Sequence, residues 1–260
     1  MPVHPLIGLR GGLRYPSQGF LYFWVRDSWE ILLAPITDNL PDGSFPHRHR
    51  TPDFVTFSAL LRMTTKYQLE ETRSQILLDL VPAYPTKFSE YDSSSCRGEA
   101  VFGAPLPHPN SALDLLVQCK VAFALPFAYY RVCVAGDPAS LNTGTDGVAL
   151  PPEILKKALR GQSRLKQDEM EFAKKLAFQE CNAWKCVGKS RAELYSWIIP
   201  NVASTNGILE RGDFPGSGYC SKCMEAFPQE LEKAKEKAWK NLPPYFDLPP
   251  WDDAAYRSGS

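Results

Sequence analysis

Phe54 to Asp92 reads FVTFSALLRMTTKYQLEETRSQILLDLVPAYPTKFSEYD. In its first part Phe54, Phe57, Leu60, Leu61, Met63 and Tyr67 recur mostly at helical steps, which gives one apolar stripe on a helix. Asp53 stands just before the run, where a carboxylate can accept from the first backbone N–H groups of a helix. A second period follows, with Ile76, Leu77, Leu80, Val81 and Tyr84 on one face and Glu70, Glu71, Arg73 and Asp79 on the other. Pro82 and Pro85 end it, because proline has no N–H and disfavours helix in the residue before it. The spacing therefore predicts two helices with a turn near Gln68–Leu69, an αα-hairpin that cannot bury both stripes alone. It must pack on something else. Nothing in it resembles a reaction centre, and no catalytic chemistry is expected of the chain.

Downstream, Ser89 to Pro109 is polar and rich in Gly and Pro, which reads as a loop. Asn110 to Phe123 resumes helical spacing, with Leu113, Leu116, Val117 and Val121 inward and Asn110 or Ser111 as the cap. Pro126 suits the first turn of the next helix, PFAYYRVCVAG, which Gly136 would close. Glu153 to Arg160 and Ser163 to Glu180 read as a helical pair split by Gly161, the second with Leu165, Met170, Phe172 and Leu176 as its apolar residues. Ser190 to Ile199 is a further short helix. Pro228 to Asn241 is the last, with Leu231, Ala234, Ala238 and Trp239 down one side. Upstream, residues 1–19 show no sustained period, and Leu40 to Thr51 is a turn-rich linker. Phe20 to Leu33 is dense in aromatics, a mark of burial or docking; it reads as a strand followed by a short helix, an assignment its period does not settle.

The segment LLRMTTKYQLEETRSQILLDLVPAYPT is similar to the helical end of the BTB/POZ fold in a group of basidiomycete fungal BTB-domain proteins. The residues that carry the likeness are Leu60, Leu61, Arg62, Lys66, Tyr67, Arg73, Tyr84, Pro85 and Thr86. Three later segments of that group follow in order: Ala124 to Arg131, Leu150 to Gly161, and Cys220, Cys223 and Trp239 with Leu242 to Phe246. The resemblance covers residues 52–253. It implies a mainly α fold, with helical hairpins packed on a BTB-type C-terminal helix pair and few strands, confined to the N-terminal segment. It also implies a non-enzymatic protein-interaction module inside the cell, in cytoplasm or nucleus, that docks to itself, to other proteins or to a cullin-type ubiquitin-ligase scaffold. The chain departs from the family at its front, where nothing before residue 52 reads as the first half of a BTB domain. The expected division is a divergent N-terminal segment over 1–51, a partial BTB helical part over 52–92, and a helical C-terminal extension over 93–260.

Bulk composition narrows the classes further. A hydrophobic fraction of 44% and a charged fraction of 22% read as globular, and 260 residues can bury a core. Lys+Arg and Asp+Glu are 29 each, so no global field draws the chain to nucleic acid or an anionic membrane. The longest apolar run, Val121 to Tyr130, is broken by Pro126 and too short to cross a bilayer. The first residues have no continuous apolar core of a secretion signal, so secretion is not expected.

Seven cysteines, an odd count in a chain not expected to be secreted, point to thiols or a metal rather than a disulfide framework. Cys181-x4-Cys186 and Cys220-x2-Cys223 are two close pairs, 33 residues apart, that together would supply the four soft ligands of a structural zinc site. The same four residues read first as ordinary buried or exposed thiols, and last as a disulfide or redox pair. A zinc-stabilised, partner-binding helical domain without BTB dimerisation is accordingly the second functional expectation. Cys119 and Cys133 fall inside apolar helical patterns and read as core. His47 and His49, with Arg48 and Arg50, read as a solvated loop, and His108 lies between prolines with no general-base partner in sequence. Phe127, Tyr129 and Tyr130 read as helical aromatics facing a neighbour rather than a ligand ladder. Gly11-Gly12 and Gly212 to Gly218 lack the Lys-Ser/Thr and strand–helix context of a phosphate loop.

Overall fold

The computed structural model describes residues 53–91, 107–135, 149–175, 208–210, 220–253 and 256, and the backbone of 20–25, 28–35 and 176–178. The expected helix over Ser190 to Ile199, the pair Cys181 and Cys186, and His47 and His49 lie outside the described residues. The chain divides into two compact units, Met1–Arg48 and His49–Ser260. In the first, the backbone of β1 (Phe20–Val25) runs antiparallel to that of β2 (Ser28–Pro35), with Phe20 opposite Pro35 and Tyr22 opposite Leu33.

The described part of the second unit is mainly helical. Its helices are α1 (Phe54–Lys66), α2 (Glu70–Leu80), α3 (Pro109–Gln118), α4 (Leu125–Ala135), α5 (Pro152–Phe178), α6 (Ser221–Lys240) and α7 (Leu242–Tyr245). Short 3-10 turns lie at Phe88–Glu90, Ala122–Ala124 and Ile208–Glu210.

The hairpin expected at the front is present. Asp53 caps α1, its Oδ1 accepting from Thr56 N at 2.7 Å. At the other end Gln68 takes a positive φ of 54° and Leu69 N donates to Thr64 O at 2.9 Å, which turns the chain into α2. Phe57, Leu61, Ile76, Leu77, Leu80 and Tyr84 are buried, each apolar side chain worth about 1.5–3 kcal/mol on leaving water. Two inward assignments are corrected: Tyr67 and Val81 face solvent, because both lie past the last full turn of their helices. Arg73, assigned to the outer face, is half-buried instead. Its Nη2 donates to Cys119 O at 3.0 Å, giving a partner to a carbonyl at the end of α3.

Three further boundaries differ from the sequence expectation. The cap of α3 is His108, whose Nδ1 accepts from Asn110 N at 3.3 Å, and Asn110 is buried inside the helix. Gly161 does not split α5, which is continuous over 27 residues. The glycine is there for space: a Cβ on it would lie 2.0 Å from the Phe246 ring. Helix α6 starts at Ser221, so Pro228 sits inside it and not at its first turn.

One apolar cluster runs from Phe57 in α1 to Phe246 beyond α7. Phe127, Tyr129 and Tyr130 are buried in it as expected, as are Cys119 and Cys133. Tyr129 stacks on Phe246 with centroids 5.0 Å apart, and Trp239 gathers Phe88, Tyr91, Phe127 and Trp251 around it. Arg160 and Arg164 on α5 both grip Asp247, at 2.7 and 2.8 Å, and Arg164 also reaches Tyr245 O at 2.7 Å. These bonds fasten the end of α7 to the long helix.

Candidate functional site

Three places in the second unit carry side chains that burial alone does not explain. The first is a cleft of about 370 Å³ between α5 and α6, floored by Leu165, Phe172 and Ile208 and rimmed by charge. Lys175 Nζ lies 2.6 Å and Lys233 Nζ 3.0 Å from Glu230, and their hydrogen bonds hold that carboxyl below the usual range. Opposite, the Tyr245 hydroxyl donates to Asp168, with Lys237 at 3.8 Å from the same carboxylate. Burial, reinforced by that bond, pushes the Tyr245 phenol up, so it stays protonated. The Lys175–Glu230 and Lys237–Asp168 pairs cross between α5 and α6, and the Tyr245–Asp168 bond adds α7 to them.

The second place is the start of α6. Cys220 is its N-cap residue, in extended backbone at φ −73° and ψ 161°, and Cys223 lies in its first turn. Both are half-buried. Of the four cysteines expected to hold zinc, the structure describes these two and brings them to one turn of one helix, while Cys181 and Cys186 lie outside the described residues. Among the described residues no group of three or more His, Cys, Asp or Glu side chains is placed to hold a metal ion. Cys119 and Cys133 are a different kind of thiol: both are buried, and burial pushes both up. His108 is spent as the cap of α3.

The third place is the solvent-exposed part of the α1–α2 hairpin, with Val55 at 71%, Tyr67 at 58%, Leu78 at 50% and Val81 at 41% exposure. The remaining large exposed apolar residues among those described, Leu159, Met170 and Met224, are spread over α5 and α6. Val55 is in the first turn of α1 and Leu78 and Val81 close α2, so the hairpin's open end collects three of its four. Sequence reasoning missed this surface. Val55 and Leu78 stand off the 3.6-residue stripe, and that offset was the signal available.

Comparison with protein-family models, with curated proteins and with solved structures returns no match. Among the described residues no helix is long and apolar enough to cross a membrane.

Proposed function

We propose that the chain is a non-enzymatic protein-interaction module related to the BTB/POZ proteins. In this reading α1 and α2 are the helical end of a BTB-type fold whose first half has no counterpart before residue 52, and the protein works inside the cell. The observation that carries it is the solvent-exposed apolar part of the hairpin, since large apolar side chains are costly to leave in water and mark docking surfaces when they cluster. The partner is a second copy of the chain or a cullin-type scaffold; nucleic acid and membrane are not partners.

Light scattering on the full chain, alone and mixed with the N-terminal domain of a cullin, tests this. A mass that rises with concentration, or on adding the cullin, is expected. In Leu78→Glu/Val81→Glu that rise should vanish while circular dichroism and melting stay unchanged, because both positions are solvent-facing. A strict monomer that ignores the scaffold at every concentration would remove the basis for this function.

A further inference from the structure

The charges of the front hairpin are sorted by helix. Within α1 the charged residues are Arg62 and Lys66, and its body holds no acid. Helix α2 opens on Glu70 and Glu71 and carries Asp79 near its end. Its one cation, Arg73, is turned inward to the Cys119 carbonyl. Arg62, Lys66, Glu70 and Glu71 are all exposed, and none of them forms an ion pair with a described residue. Arg62 donates instead to the Gln118 amide oxygen at 3.2 Å, and the Lys66 ammonium lies over the Tyr67 ring.

Helical geometry ties these charges to the exposed apolar residues. At about 100° per residue, Val55, Arg62 and Lys66 fall on the side of α1 opposite buried Phe57 and Leu61. Glu71, Gln75 and Leu78 fall likewise opposite buried Ile76, Leu77 and Leu80 on α2. Both buried sets belong to one apolar cluster, so both stripes point away from it. Val55 and Arg62 stand two turns apart, about 10 Å, and so do Glu71 and Leu78. The order is reversed between them: α1 runs from apolar to basic, α2 from acidic to apolar. Where α1 of one copy lies antiparallel to α2 of another, Val55 meets the partner's Leu78 as Arg62 meets the partner's Glu71. Lys66 follows one turn on, toward the same acidic end. A two-fold axis along the hairpin repeats both contacts, which is the self-complementarity an isologous pair requires.

We propose that the α1–α2 hairpin docks on the same hairpin of a second copy of this chain, α1 against α2, with basic and acidic ends paired. The inference rests on the hairpin being the docking surface of the interaction module described above, and it selects a second copy over the scaffold as what covers that surface. The apolar contacts supply most of the affinity. The exposed ion pairs add little of it, but they set register and reject a mispaired partner.

Sedimentation equilibrium on the full chain tests this. The natural chain should dimerise, and more weakly as salt rises and screens the pairs. Arg62→Glu/Lys66→Glu makes both stripes acidic, and Glu70→Lys/Glu71→Lys makes both basic. Each variant alone should dimerise about tenfold more weakly, because every reversed pair occurs twice about the axis. Mixed together, the acidic and basic variants should form a heterodimer of the natural affinity. Should a variant lose its helical circular dichroism, the salt series on the natural chain decides, since a contact without charge pairing would hold or tighten with salt. A dimer indifferent to salt and to both reversals would overturn the proposal. So would a chain that stays monomeric alone yet binds the cullin domain, a result that leaves the interaction-module function standing. A monomer that also ignores the cullin would remove both.

Discussion

A Cβ on Gly161 would lie 2.0 Å from Cε1 and 2.1 Å from Cδ1 of Phe246. The ring cannot retreat, because it is fully buried and stacked on Tyr129. Alanine is the better helix former by about 1 kcal/mol, yet overpacking a close-packed core costs about 1–3 kcal/mol. Gly161→Ala is therefore expected to destabilise the protein in urea unfolding, and a stabilised variant would show that the ring yields. Tyrosine protonation works at the same scale. Burial pushes the Tyr84 and Tyr129 phenols from 10.0 up to about 12. The unfolded chain releases these protons near pH 10 and the folded chain holds them until about pH 12. Their stabilising contribution is thus whole below pH 10 and is lost as pH rises through 12, at about 1.4 kcal/mol per pH unit for the buried Tyr84. Urea midpoints taken stepwise over that window should fall, and Tyr84→Phe should flatten the slope. A midpoint indifferent to alkali would contradict the assignment.

Helix ends are where the sequence spoke least clearly, and they share one cause. Gln68, Lys120 and Asp247 all adopt φ between 52° and 54°, the left-handed region that glycine usually fills after a helix. Each is followed by a residue whose N–H turns back to a carbonyl of the last turn: Leu69 to Thr64 at 2.9 Å, Val121 to Leu116 at 2.9 Å, and Leu248 to Pro243 at 3.0 Å. The motif was recognisable at Gln68 only because a second apolar period starts at once. At Lys120 no glycine announced it, and the apolar spacing carries on to Phe123, so the helix reads as longer than it is. Gly161 misled in the opposite sense, a glycine kept for a neighbouring ring rather than for a turn. Lys120→Gly removes the left-handed strain of about 1–2 kcal/mol and adds back part of it as unfolded-chain entropy. A net gain of about 0.5–1 kcal/mol is expected in urea unfolding. Loss of stability there would mean that the Lys120 side chain contributes something its exposed position does not reveal.

On the scale of the second unit, composition and periodicity were enough to read a mainly helical body, because amphipathic stripes are local. Which stripes meet is set by residues far apart in sequence, and no period encodes that. Trp239 is the clearest case. Its apolar neighbours on α6 mark it as inward, but its ring partners come from three separate segments. Phe88 lies 6.1 Å away, Tyr91 5.3 Å, Phe127 5.8 Å and Trp251 5.7 Å, centroid to centroid. Its indole N–H donates to Thr86 O at 3.4 Å, just after the α1–α2 hairpin, and its own carbonyl accepts from Trp251 Nε1 at 2.8 Å. The candidate sites were read unevenly for the same reason. The Cys220–Cys223 pair is local and visible as a spacing, whereas the exposed side of the hairpin emerges only once the buried side has chosen its partners. A side chain that joins the front hairpin to the C-terminal segment should be felt at both ends. Trp239→Ala is expected to cost about 3–5 kcal/mol, and in native-state hydrogen exchange it should lower protection at Leu61 and Leu80 as well as along α6. If α1 and α2 kept their protection while α6 alone opened, the hairpin would be stable without the indole, and the shared core would be two cores in contact.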